Sequence, residues 1–420
     1  MRAADWYLHL VGINSSTVSI RRAARVAAIL LACVTVSSCA PPVLSESSVA
    51  GRAITQMACE IPRGAADFAS AAPSEVSLDA DALRSALSGA SMNLASSVRV
   101  YRHDCLIATS GNDWRSATAP ANLWSGTKTI VSLLVGRAIT LGRLHLDDPI
   151  GRFLPEYDAT HGAITVRQLL TQTSGLRFAW LNDANPALAD TVAYVGTLPF
   201  DHVPGTYFEY AQAPVTVLAE VVTRAVGMDV QTFAREQLFG PLAIADADWY
   251  WARDRSGHTI GYAQLSMRPL DLAKIGSMLL HHGQWGETAL IDPDYLREAT
   301  SSSATNPGYG FLIWTNQGMW HYSASILVRH RVDRRWIASA PADMFALSGL
   351  GDQYVFVVPS LDLVVVRTGF FGASPWRHEF FRTLGLGVTD VDVADVGPYT
   401  GEPPNEFDIA RGVDLASWPR

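Results

Sequence analysis

Lysine is nearly absent from this 420-residue chain: only Lys128 and Lys274 occur, and arginine carries the rest of the positive charge. Charge of either sign is sparse at 17%, while 48% of residues are hydrophobic, a composition that excludes a disordered chain and fits an enzyme-sized globular one. The formal net charge is −8, so the surface offers no electrostatic footprint for nucleic acid and no nucleic-acid partner is expected. Gly-x-Ser-x-Gly does not occur, which excludes the nucleophile elbow of α/β-hydrolases. His-Glu-x-x-His, paired Cys-x-x-Cys and glycine-rich phosphate loops are missing too, and no metal or organic cofactor is expected. His281, His282 and His330 stand apart from any set of ligand residues and are read as surface or capping groups.

Cysteine is scarce as well, with four in the chain. Cys33 and Cys39 fall in the opening segment, where Arg21, Arg22 and Arg25 precede an apolar run over residues 26–36. A basic start, a short apolar stretch and small residues before a cut describe a secretory signal peptide, and the run is too short to span a bilayer permanently. Val36-Ser37-Ser38-Cys39 has the form of a lipoprotein box, an aliphatic residue and two small ones before the cysteine that receives lipid. Several acyl chains on Cys39 would give stable anchoring where one chain is marginal. The expected product is therefore exported and lipid-anchored to a membrane, with plain secretion as the alternative. Removing a leader with four arginines and one aspartate takes the formal charge to about −11. Cys59 and Cys105 remain, and two cysteines in an oxidising compartment point to one disulfide, with two buried thiols as the alternative.

The expected layout is a signal peptide over 1–38, a serine-rich tether over 39–58, a catalytic domain over 59–388 and an acidic tail over 389–420. Extended runs at 97–101 and 106–109 flank His103-Asp104 as a hairpin, and runs at 354–358 and 361–367 flank Pro359-Ser360 as another. Between them the signals are helical. One helix is expected from an N-cap at Asn122 to a stop at Gly142, another over 214–226 with Gly227 ending it. These elements predict an α/β fold: a mainly antiparallel sheet built from both termini, flanked by helices, with a helical subdomain inserted over about 144–249.

Ser125-Gly126-Thr127-Lys128 carries the chemistry. Residues i and i+3 share a helix face, so hydroxyl and amine come within hydrogen-bond reach. Burial and the positive end of the helix disfavour a second positive charge there and lower the lysine pKa, making it a base for the serine proton. With two lysines in the whole chain, a chance Ser-x-x-Lys is improbable.

Trp124-Ser125-Gly126-Thr127-Lys128 resembles the first motif of the serine β-lactamase and DD-peptidase superfamily, in its class C, esterase and 6-aminohexanoate-oligomer hydrolase branch. VRQLLTQTSGL (166–176), PGTYFEYAQ (204–212), MRPLDLAKIGSMLLHHGQW (267–285) and ALSGLGDQYVFVVPSLDLVVVRTG (346–369) follow in that family's order and look like its further segments. The resemblance covers roughly residues 59–380. It implies Ser125 as nucleophile, Lys128 and Tyr210 as proton-transfer groups, and the backbone amides of Ser125 and Leu350 as oxyanion donors. Gln212 stands where the branch has asparagine to hold a substrate carbonyl. Leu347-Ser348-Gly349 stands where it has a Lys-Thr-Gly or His-Thr-Gly that binds a carboxylate. Leu347 cannot do so, and an unpaired carboxylate there costs several kcal/mol. Gln172 replaces a histidine, a substitution from which no role is read. The expectation is a serine hydrolase of small or lipid-like esters with weak β-lactam turnover. The alternatives are an amide hydrolase of the 6-aminohexanoate-oligomer type and a non-catalytic envelope lipoprotein.

Overall fold

The computed structural model describes residues 57–401, apart from 93, 184, 186–187, 325–328 and 371–374, together with residues 43–44. The signal segment, Cys39, most of the expected tether and the tail after residue 401 lie outside the described residues. Strands β1 (Val43–Leu44), β2 (Ala95–Arg102) and β3 (Cys105–Thr109) come from the N-terminal part. A small separate sheet holds β4 (Ala121–Asn122), β5 (Trp249–Trp251) and β6 (Leu265–Met267). Strands β7 (Trp314–Thr315), β8 (Phe345–Gly349), β9 (Gln353–Val358) and β10 (Leu363–Gly369) complete the main sheet. Its order is β1-β3-β2-β10-β9-β8-β7, with every neighbouring pair antiparallel.

Both expected hairpins are present, and they meet: β2 pairs with β10 in the register Val100↔Val365. The N- and C-terminal parts of the chain thus interleave in one sheet, as the sequence predicts. The strands read as unbroken apolar runs because both faces are covered. Tyr354, Phe356 and Val358 of β9 face a core with Leu83 and Leu87 of helix α1 (Ala80–Ser91), while Val355 and Val357 face the opposite core. That opposite face is covered by α2 (Gly126–Thr140) and α6 (Pro269–Leu280). Between α2 and α6 lie α3 (Val166–Leu170), α4 (Trp180–Asp183) and α5 (Ala213–Val226). Helix α7 (Trp376–Leu386) joins α1 on the outer face through Phe380, Phe381 and Leu384.

Helix α5 begins one residue before the expected position and ends where Gly227 takes φ 73°. Helix α2 corrects the expectation at its start. Asn122 does not cap it; β4 pairing with β6 draws Asn122 into extended backbone opposite Ser266. Its side-chain oxygen accepts from the Trp124 amide at 2.8 Å, and the helix opens at Gly126 with Ser125 as N-cap. Residues 43–44 of the expected tether add an edge strand to β3. Residues 389–401 run as an irregular cover, tied by Arg382 to Asp395 at 2.6 Å and by Arg102 to Asp390 at 2.5 Å. The disulfide Cys59–Cys105 is formed, closing a separation of 46 residues. Among the described residues no helix is long and apolar enough to cross a membrane.

Candidate active site

Trp124 has φ 49°, a left-handed conformation that bulky residues rarely adopt. It turns the chain sharply between β4 and α2, leaving Ser125 half-buried at the helix start. One turn on, Lys128 is 1% exposed. Its Nζ lies 3.1 Å from Ser125 Oγ, 2.6 Å from Gln212 Oε1 and 2.9 Å from the Tyr262 carbonyl oxygen. A neutral amine has two hydrogens and one lone pair. Donation to Gln212 and to the Tyr262 carbonyl uses both hydrogens and turns the lone pair toward the serine hydroxyl.

Burial lowers the Lys128 pKa to about 7, with the charge of Asp183 acting in the opposite direction. Lysine therefore loses its proton near neutrality, as the sequence reading requires. Lys274, the other lysine, is also buried but donates to the carbonyls of Gly64 and Ala243, each at 3.2 Å, and lies 3.9 Å from Asp271. Its role is structural.

Tyr210 brings its ring centroid to 4.9 Å from Lys128 Nζ and packs edge-on against Tyr309 at 5.9 Å. Gln212 closes α5 at its N-cap, and both ends of its amide are engaged: Oε1 accepts from Lys128, and Nε2 donates to the Tyr210 carbonyl at 3.0 Å. Instead of reaching outward for a substrate carbonyl, this side chain binds the lysine. The Tyr262 carbonyl comes within reach because Gly261 lets two backbones touch; a Cβ there would sit 2.3 Å from the Val215 carbonyl oxygen.

The third expected segment lies along the start of α2. A Cβ on Gly349 would be 1.9 Å from the Leu123 carbonyl oxygen and 3.1 Å from the Gly126 nitrogen, so only glycine fits. Leu347 is buried, and a Cβ on Gly126 would meet its Cδ2 at 2.4 Å. Ser348 pairs with Tyr354 across the sheet. Leu350 follows in the turn, half-buried. The sequence thus brings Ser125, Lys128, Tyr210 and Gln212 together and sets Leu347, Ser348, Gly349 and Leu350 beside the helix that carries the serine. Cys39, the expected lipid site, lies outside the described residues.

Two residues at the site had no signal in the sequence. Gln172, at φ 58°, clasps the Ala211 backbone: its Nε2 donates to the Ala211 carbonyl at 3.1 Å and its Oε1 accepts from the Ala211 amide at 2.9 Å. Asp183, 1% exposed, accepts from the amides of Gln212 and Ala213. Burial pushes its pKa up to about 6 against those hydrogen bonds and the nearby Lys128.

A family VIII carboxylesterase is similar in fold with a TM-score of 0.55 at 17% identity, over 72% of this chain and 96% of that one. A penicillin-binding protein homologue of Caulobacter crescentus gives a TM-score of 0.56 at 17% identity, with the same coverage of 72% and 96%. In sequence the chain is 31% identical to Esterase EstB of Burkholderia gladioli over 145 residues, which is 30% of this chain and 37% of EstB. The chain therefore matches little more than a third of that relative's length. The beta-lactamase family model matches residues 96–368, from the first central strand through the last and across every segment that builds the site, and the chain belongs to the beta-lactamase family.

Proposed function

We propose that this chain is a serine hydrolase that forms an acyl-enzyme on Ser125, a carboxylesterase of small or lipid-like esters. The observation that carries the reading is the 3.1 Å contact between Ser125 Oγ and the amine of Lys128, which is lowered to about pH 7 by burial. Neutral Lys128 takes the Ser125 proton as Oγ attacks the ester carbonyl carbon. The oxyanion that forms is held by the backbone amides of Ser125 and Leu350, which donate to no other protein group among the described residues. Collapse breaks the bond to the alkoxy group, which leaves as an alcohol with the proton passed through Lys128 and Tyr210. Water then attacks the acyl-enzyme, giving up its proton to the same pair, and the carboxylic acid and free Ser125 are restored.

Buried Leu347 argues against substrates that carry a carboxylate at that place, and the inward-turned Gln212 against substrates that need an amide there. Esters with an uncharged acyl group suit such a site, and the esterase similarity over 145 residues is in keeping with this. On the same reading the enzyme is exported and held to the membrane by lipid on Cys39. A fatty-acid analogue should label the wild-type protein in cells, and Cys39→Ser should abolish that label.

The direct test uses a fluorophosphonate probe and chromogenic esters of increasing chain length beside a chromogenic cephalosporin. The wild-type protein should be labelled and should turn over esters far faster than the cephalosporin. Labelling of Ser125→Ala at the wild-type level would refute the assignment of the nucleophile.

A further inference from the structure

Helix α4 carries a carboxylate into the interior with no catalytic step assigned to it. The Asp183 backbone is held by its own amide donating to the Ala179 carbonyl at 2.8 Å, and its side chain is 1% exposed. The side chain reaches the first amides of α5, where Gln212 is N-cap and Ala213 the first helical residue. Four amides at a helix start lack partners within the helix, and a carboxylate is a strong acceptor for them. The same N-cap residue holds Lys128 through its side chain at 2.6 Å. One chain of contacts therefore runs from Asp183, through the backbone of Gln212, to the amine that faces Ser125.

The position has an electrostatic side. The charged and titratable groups around Lys128 come from three segments: Asp183 on α4, Tyr210 ahead of α5, and Tyr262 ahead of β6; Glu209, beside Tyr210, interacts with Asp183. Burial raises the Glu209 pKa to about 7 and holds Tyr262 protonated to about 12. Asp183 is the carboxylate whose field acts on the lysine. No other side chain both fastens Gln212 by its backbone and faces Lys128 with a charge among the described residues.

We propose that Asp183 is a positioning residue of the proton-transfer machinery, placing Gln212 and Tyr210 about Lys128 through the start of α5 and setting a buried carboxylate charge against that amine. The consequence for catalysis rests on the acyl-enzyme reading of Ser125 and Lys128. The geometry and the field at Lys128 do not, and the experiment keeps the two apart.

With two lysines in the chain, the full-length protein labelled with carbon-13 at lysine Cε gives two signals, and Lys128→Met identifies one by its loss. In the wild type the Lys128 signal should titrate near pH 7 and show a second inflection near pH 6 as Asp183 takes up its proton. Asp183→Asn keeps an oxygen for the Gln212 amide but removes the charge, so the Lys128 midpoint should move down by about one unit while Lys274 stays in place. The acid limb of kcat/KM for a chromogenic ester should move down with it. Asp183→Ala also removes the acceptor and should lower kcat roughly tenfold or more with KM little changed.

A Lys128 titration in Asp183→Asn indistinguishable from the wild type would overturn the proposal. So would the lack of a second inflection in the wild type, which needs no variant to fold. If no ester is hydrolysed while the Lys128 midpoint still moves, the functional reading fails and the inference about Asp183 stands.

Discussion

Lys128 is where composition, geometry and chemistry meet. An amine with a pKa of about 7 is protonated below neutrality and cannot accept the Ser125 proton. Activity should therefore rise with pH, with kcat/KM for a chromogenic ester showing an ascending limb centred near pH 7 in a pH–rate profile. Lys128→Arg keeps the charge and the length but stays protonated across the range, so it should remove the limb and cost roughly 10²–10⁴-fold in kcat. The pair was legible in the sequence because Ser125 and Lys128 are three residues apart and because lysine is otherwise almost unused. Tyr210 and Gln212 were legible only through their likeness to a family segment. Asp183, Gln172 and the Tyr262 carbonyl were not legible at all. Each acts on a partner between 29 and 134 residues away, through backbone groups that carry no residue identity.

The strands were easier to read than the joints between elements. Buried on both faces, β9 and β10 declare themselves as continuous apolar runs bounded by a turn. The start of α2 was misplaced because pairing of β4 with β6, whose paired residues are 144 or more positions away, overrides a local capping signal at Asn122. The contact between α2 and β8 is another joint of this kind, and it rests on two glycines. Gly126→Ala would thrust a methyl group into Leu347 Cδ2, the end of a side chain. The expected cost is about 1–3 kcal/mol of stability by denaturant titration, together with a fall in kcat as the displaced helix start moves Ser125. Adding Leu347→Ala should recover most of both losses, because the obstacle is then gone. Gly349→Ala meets the Leu123 carbonyl oxygen, which is backbone, and no companion substitution of a side chain should rescue it. A double-mutant cycle in which Gly126→Ala and Leu347→Ala simply add would show that the two surfaces do not press on one another.

At the scale of the molecule, the two ends of the sequence share one sheet, and that arrangement decides what the disulfide can do. Cys105 opens β3, so the bridge fastens the segment around Cys59 to the β2–β3 hairpin. The Cys59 amide already donates to the His103 carbonyl at 2.9 Å, placing the bridge beside a pre-formed turn. Residues 60–104 are enclosed by the bridge, and they include α1 and β2, the strand that β10 needs as its neighbour. In the unfolded chain the bridge keeps this stretch closed and so removes conformations that β2 would otherwise explore. For a separation of 46 residues the chain-entropy estimate is about 4 kcal/mol, near the top of the usual range of about 2–4. Replacing both cysteines with serine should lower the urea midpoint and steepen the denaturant slope, since the unfolded chain freed of the bridge exposes more surface. The bridge joins neither Ser125 nor Lys128, and the folded variant at 25 °C should hydrolyse esters at nearly the wild-type rate. A large loss of kcat in a variant shown to be folded would mean that the hairpin, through β2 and β10, holds the catalytic helix more tightly than the order of the sheet implies.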